Sequence, residues 1–286
     1  MPERFSYNSD DLRRMPPRPE RSNKGTFGTL LVIGGSVGMA GAGYFAAKAA
    51  YRTGCGLVRL LTPKENLAVY QTLIPEATVT VYNADSPDPA TVKNAVARAS
   101  AVVVGVGLGT SDRSKAVLHA TLKACTVPLL IDADGLNLIA ADKELFDLVP
   151  ENTVFTPHPA EMSRLTGIPI ASVLEDIPGI CEDFAAKHRA ICVLKDHATT
   201  VSDGGKTMIN HSGNSGMATG GSGDVLAGII GSIMAQGSSP FDAAALGVFI
   251  HGLAGDFAAE KLSEYSVTAS DIIENIPKIM NRIPVK

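Results

Sequence analysis

Residues 29–61, TLLVIGGSVGMAGAGYFAAKAAYRTGCGLVRLL, decide the fold class by the order of their residue types. Thr29–Ile33 is a run of leucine and β-branched residues without polar alternation, as expected of a strand covered on both faces. A glycine-rich turn leads into an alanine-rich helical stretch over Ala40–Thr53, and a second apolar run follows at Leu57–Leu61. Strand, helix and strand make one βαβ unit. The alternation continues downstream. Strands are predicted at Thr78–Tyr82, Ala101–Val106, Pro128–Ile131, Thr153–Thr156 and Ala190–Leu194. Helices are predicted at Asn66–Leu73, Ala90–Ala99, Ser111–Ala124, Pro159–Thr166 and Val173–His188. Repeated units of this kind predict an α/β fold, with a mostly parallel sheet and helices on both faces.

Both ends of the chain depart from that rhythm. Thr199–Ser202 and Thr207–Asn210 flank Asp203-Gly204-Gly205, a hairpin turn whose φ > 0 positions suit glycine. A C-terminal helical segment follows, at Gly223–Gln236, Pro240–Leu262 and Thr268–Met280, the last opened by a capping-box pattern from Thr268 to Asp271. Residues 1–25 read as a polar, proline-rich arm with a short helix at Asp10–Arg14, and residues 26–286 as one catalytic domain.

Bulk properties narrow the function. The chain has 286 residues, 45% hydrophobic and 19% charged, with a net charge of -4. A length in this range buries about 75% of the unfolded surface, which excludes disorder as a whole-chain reading. An acidic chain with 5% aromatics and no Lys/Arg block lacks the footprint of a nucleic-acid binder. Cys55, Cys125, Cys181 and Cys192 form no CxxC pair and no zinc spacing, and read as buried small hydrophobes in a reducing compartment. The first 25 residues have no apolar core of a signal peptide, and Val225–Ala235 is too short and glycine-broken to span a bilayer. The expectation is a cytoplasmic protein without nucleic-acid or membrane partners.

Glycine carries the functional signal through its position. Clusters at 34–43, 105–109, 213–216 and 220–223 fall where predicted strands end or helices begin, the side on which parallel α/β sheets bind ligands. The first cluster is not a dinucleotide fingerprint, because Gly34, Gly35 and Gly38 do not meet the G-x-G-x-x-G spacing. The second strand also ends at Pro63 without the acid that would hold a ribose. It serves either close helix–sheet packing or a backbone wall against a large ligand. In the last cluster, Gly220-Gly221-Ser222-Gly223-Asp224 feeds directly into an apolar helix. Converging N–H groups and the positive end of the helix dipole make an anion hole there, formed by Gly221, Ser222 and Gly223. Asp224 can be a first-turn cap, or a base that takes the proton of a substrate hydroxyl during phosphoryl transfer. Further candidates end neighbouring strands. They are Asp132, Asp134 and Asn137 after one, His158 and Glu161 after the next, and Lys195 after the last, as phosphate neutraliser or surface lysine. Acids on adjacent strand ends suit an Mg²⁺–nucleotide.

Six segments in order, GGSVGMAGAG, GVGLG, DADGLN, TPHPAE, LKDHAT and NSGMATGGSGD, resemble the ADP/ATP-dependent NAD(P)H-hydrate dehydratases of the ribokinase-like superfamily. The resemblance runs from about Lys24 to the C-terminus. It implies a ribokinase-like three-layer α/β/α fold and repair of hydrated cofactor. The S epimer of NADHX or NADPHX is returned to NADH or NADPH as ADP or ATP is consumed with Mg²⁺. By the same resemblance Asp224 is the catalytic base, and Ala42, Gly107, His158 and Asp224 contact substrate. Lys195, Asp196, His197, Ala198, Thr199 and Gly223 contact nucleotide, Glu161 is a metal-associated acid, and the assembly is a homo-oligomer, a tetramer. The chain departs from the family at Lys195-Asp196, where Lys-Gly is usual, and at Ala160 in place of glycine. The alternative reading is a ribokinase-like kinase of a small alcohol such as a hydroxymethylpyrimidine or hydroxyethylthiazole.

Overall fold

Successive side chains of a strand point to opposite faces, so a strand covered on both faces is apolar at every position. The computed structural model describes residues 2–283 and shows this pattern throughout its central strands. The strands are β1 (Glu3–Phe5), β2 (Thr29–Ile33), β3 (Leu57–Pro63), β4 (Thr78–Tyr82), β5 (Ala101–Val104), β6 (Leu129–Ile131), β7 (Val154–Phe155), β8 (Ile191–Leu194), β9 (Thr200–Ser202) and β10 (Lys206–Ile209). They form one sheet in the order β1-β10-β9-β8-β7-β6-β5-β2-β3-β4. From β8 through β4 every neighbouring pair is parallel, whereas β9 is antiparallel to both β8 and β10.

Leu30, Val32, Val103 and Leu130 enter one core, beneath the helices Ala40–Arg52, Ser222–Ala235, Pro240–Leu262 and Ala269–Met280. Leu31, Ile33, Val102 and Ile131 enter the other, beneath Pro89–Val96, Asp112–Ala124, Asp134–Ala141, Pro159–Thr166 and Ile177–His188. The result is the expected three-layer α/β/α architecture. Among the described residues, only the helix Pro240–Leu262 is long and apolar enough to cross a bilayer, and most of it is buried in the first core.

The expected strands and helices recur with end shifts of one or two residues in most elements. Three differences have local causes. The Val173–His188 pattern divides into Ile170–Glu175 and Ile177–His188, because Asp176 leaves the helical region and caps the second helix by accepting from Gly179 N at 3.0 Å. Asp134–Ala141 is a helix whose Asp-Gly start resembles a turn in sequence; Ala133, at φ 49°, makes the sharp entry. At the other end of the sheet, Glu3–Phe5 adds an edge strand parallel to β10, with Arg4 Nε donating to Glu182 Oε1 at 2.8 Å.

β2 lies between β3 and β5, so the chain winds outward to β4 and then crosses to the other side of β2. The C-terminal ends of β2 and β5 are therefore a topological switch point, where such sheets open a crevice. Behind it, the helices Ala40–Arg52 and Ser222–Ala235 approach backbone to backbone. A Cβ on Gly228 would collide with the Ala46 carbonyl, and Ser232 Oγ donates to Ala50 O at 2.9 Å. Gly228→Val is expected to destabilise by at least about 1–3 kcal/mol, the usual cost of overpacking. Gly41→Ala, with no neighbour nearer than 4.0 Å in the same helical layer, should be neutral or stabilising by up to about 1 kcal/mol. Urea midpoints for the two variants check this contrast.

Candidate active site

Three adjacent strand ends and one helix start converge. β6 delivers Asp132, β7 leads to His158, β8 leads to Lys195, and the helix Ser222–Ala235 begins opposite them. Asp132 is 1% exposed and cannot remain charged there without a partner. Its Oδ1 accepts from Lys195 Nζ at 3.0 Å, and the same ammonium lies 3.9 Å from Glu161 Oε2. Burial pushes the Lys195 pKa down, but Asp132 and Glu161 outweigh it and hold the group above the ordinary lysine value. Glu161 moves the other way, raised by burial against the pull of Lys195.

His158 is fixed by its role as a helix cap. Its Nδ1 accepts from Ala160 N at 3.1 Å and Glu161 N at 3.4 Å, while the His158 backbone N–H donates to Glu161 Oε2 at 2.8 Å. With Nδ1 accepting, the proton of the neutral ring sits on Nε2. Burial, reinforced by Lys195, lowers the His158 pKa, so the neutral ring is favoured.

Asp224 stands third in a helix whose N-cap, Gly221, adopts φ 90°. A side chain at Gly221 would be strained by that φ and would also meet the Phe45 ring at 2.6 Å, so glycine is required. A Cβ on Gly223 would lie 3.7 Å from Lys195 Nζ and 3.8 Å from Asp132 Oδ2, which puts the helix start against the ion pair. Burial and then Asp132 raise the Asp224 pKa to about 7, with Lys195 opposing. The carboxyl thus sits near neutrality, poised to exchange a proton.

A cavity of about 840 Å³ joins these groups. Asp132, His158, Glu161, Lys195, Asp196, His197, Thr199, Gly221, Ser222, Gly223 and Asp224 all line it. Ala198 does not, and neither do Ala42 and Gly107. The last two meet each other at the switch point, where a Cβ on Gly107 would lie 2.8 Å from the Ala42 Cβ. Ser36 N donates to Gly107 O at 2.6 Å and Gly35 N to Val106 O at 2.9 Å, so the first two glycine clusters are bonded to one another. Close packing explains most of them; Gly38 has open space around it. Asp134 and Asn137 are taken out of the acidic rim, because Asp134 Oδ2 accepts from Gly109 N at 2.8 Å and Asn137 Oδ1 from Arg164 Nε at 3.0 Å.

The 213–216 cluster, expected on the ligand side, lines the cavity's far wall, but sequence reasoning missed the residues that complete it. Asp256 holds it by accepting from Gly213 N and Asn214 Nδ2, each at 3.0 Å, while Asn210 Nδ2 donates to Ser212 O at 2.8 Å. His251 completes it from below, its Nε2 3.3 Å from Ser222 Oγ. The available signal was an isolated histidine within the apolar run Ala243–Gly255.

The sheet order and the glycine-led helix start beside a buried acid define a ribokinase-like protein. A ribokinase-like superfamily protein from Enterococcus faecalis V583 superposes with a TM-score of 0.88 at 30% identity, over 98% of this chain and 96% of that one. Residues 30–278 match the family described as NAD(P)H-hydrate dehydratase, and the chain belongs to that family. It is 42% identical over 247 residues to the ADP-dependent (S)-NAD(P)H-hydrate dehydratase of Neisseria meningitidis serogroup B, covering 85% of this chain and 81% of that protein. An ADP/ATP-dependent NAD(P)H-hydrate dehydratase from Bacillus subtilis, co-crystallised with ATP/Mg²⁺, gives a TM-score of 0.85 at 25% identity, over 97% of this chain and 98% of that one. The chain spans about half the length of the bifunctional NAD(P)H-hydrate repair enzymes it also matches.

The raised Asp224 pKa has a consequence for stability. The folded chain holds this proton up to about pH 7, whereas the unfolded chain releases it in the ordinary carboxylate range. Stability from this group is therefore full at low pH and lost as pH rises through about 7. Asp224→Asn should be more stable than wild type at pH 8, on the order of a few kcal/mol, with the gap shrinking toward pH 4. Urea unfolding at both pH values measures it.

Proposed function

We propose that this protein dehydrates the S epimer of NADHX or NADPHX to NADH or NADPH, spending ADP or ATP as phosphoryl donor. The observation that carries the reading is the position of Asp224: a carboxyl poised near neutrality at a glycine-led helix start, facing the Lys195–Asp132 pair. Asp224 takes the proton of the hydrate hydroxyl as that oxygen bonds the terminal phosphorus and the bridging P–O bond breaks. Hydroxide is a poor leaving group and phosphate a good one. The C–O bond then breaks with the ring nitrogen supplying the electron pair, and loss of a ring proton restores the dihydronicotinamide. Backbone N–H groups of Gly221 and Gly223 face the charge that builds on the phosphoryl oxygens, whereas the expected third donor, Ser222 N–H, already donates to Thr219 O at 3.3 Å. Lys195 neutralises phosphate from the opposite wall.

Asp132, Glu161 and Asp224 share the cavity with a single ammonium, so with Asp224 ionised the site carries excess negative charge against an incoming polyphosphate. That donor set fits Mg²⁺ brought with the nucleotide, since this ion is typically bound by one or two carboxylates, waters and phosphates. Glu161 is the carboxylate to hold it, and the ion would supply charge neutralisation of the phosphates. His158 Nε2–H, half-exposed in the cavity and 3.6 Å from Glu161 Oε1, is placed to donate to substrate, and Ala42 and Gly107 offer backbone at the crevice where a dinucleotide can lie. Four buried, free cysteines support action in a reducing compartment, the cytoplasm.

The alternative, a kinase of a small alcohol, would leave a stable phosphorylated product. Incubation with NADHX, Mg²⁺ and either ADP or ATP should raise the absorbance of reduced nicotinamide without accumulation of a phosphorylated alcohol. Asp224→Asn should lower kcat by roughly 10²–10⁴-fold while leaving NADHX binding largely intact; near-normal turnover would remove Asp224 as base. In wild type, kcat should rise as pH increases through about 7, where the base becomes ionised.

A further inference from the structure

His251 is buried in the middle of the helix Pro240–Leu262, the only polar side chain between Ala243 and Gly255. An imidazole in such a core is costly unless it is hydrogen-bonded. Its Nε2 lies 3.3 Å from Ser222 Oγ, and both residues line the cavity. Burial lowers its pKa to about 4, opposed by a hydrogen bond to the Ser222 backbone, with Lys195 adding to the lowering. The ring is therefore neutral at physiological pH and carries one N–H. A neutral imidazole has one nitrogen that donates and one that accepts, and Nε2 is the one that faces the Ser222 hydroxyl.

Two arrangements of the hydroxyl follow. If Ser222 donates to the ring, its oxygen turns only lone pairs toward the cavity and repels phosphate. If the ring donates to Ser222 Oγ, the hydroxyl proton is left for the cavity. A serine in the first turn of a helix also has local backbone groups that compete for its hydroxyl. We propose that His251 is a positioning residue that donates from Nε2–H to Ser222 Oγ, so that the Ser222 hydroxyl adds a side-chain donor to the backbone anion hole. The inference rests on phosphoryl transfer at this cavity, and it gives the helix Pro240–Leu262 a part in transition-state stabilisation.

The test is a double-mutant cycle with Ser222→Ala and His251→Phe, together with His251→Gln, which keeps an N–H donor. Each of Ser222→Ala and His251→Phe should lower kcat by roughly 10- to 100-fold, up to the loss typical of removing one such donor, with KM for nucleotide changed far less. The double variant should lose no more than the larger single loss, and His251→Gln should recover much of the activity. Independent, multiplicative losses, or a His251→Phe enzyme with wild-type kcat, would overturn the inference. Nitrogen-15 NMR of wild-type His251 reads the tautomer without any variant: Nε2–H supports the inference and Nδ1–H overturns it. Absence of NADHX dehydration by wild type would instead remove the proposed reaction, and the tautomer would still decide the position of the Ser222 proton.

Discussion

The backbone contact between the helices Ala40–Arg52 and Ser222–Ala235 fixes the rest of the site. Gly228 rests on the Ala46 carbonyl, Gly231 faces Leu30 and Val103 of the sheet, and Ser232 ties itself to Ala50 O. These close approaches leave the second helix little freedom to slide, and they seat its first turn beyond the C-terminal ends of the strands. An anion hole made of backbone N–H groups has no side chain with which to correct an error in placement. Its accuracy is the accuracy of the helix, and helix position here depends on the absence of side chains at the crossing.

Once that helix start is in place, its charge environment follows from the strand order. β6, β7 and β8 are neighbours, so the residues after them face one volume although they are far apart in sequence. The Lys195 ammonium can serve Asp132 at 3.0 Å and Glu161 at 3.9 Å, but that leaves one lysine among four cavity carboxyls with Asp196 and Asp224 included. Burial, reinforced by Asp132, raises the Asp224 pKa to about 7, and burial raises Glu161 as well. A general base near neutrality is thus a product of packing and charge count together. The same arrangement costs stability whenever Asp224 is ionised, a trade typical of active sites.

The layers and most of the strands were legible because each central strand is apolar along its whole length and each connection is a helix of ordinary size. Asp224 and the glycines before it were legible for a similar reason, since a helix start is a local event. Long-range partners were not. Nothing in Asp134-Gly135 announces a bond to Gly109, and nothing near His251 points to Ser222, because each pair meets only through packing of different layers. Glu3–Phe5 was hidden for another reason: three residues with two charges read as a tail, and become a strand only because β10 offers an edge. Asp176 divides a helical pattern whose apolar spacing continues across it.

The glycine clusters show most clearly how one residue type divides between roles. Gly34, Gly43 and Gly105 are enclosed, each with a neighbouring atom where a Cβ would have to go, so their glycine is a requirement of packing at the switch point. Gly38 faces open space but sits at φ 87°, a backbone conformation that itself calls for glycine, whereas Gly220 has neither a positive φ nor a close neighbour. Gly220 stands directly before the helix start that carries Asp224, so its bare backbone borders the proposed anion hole.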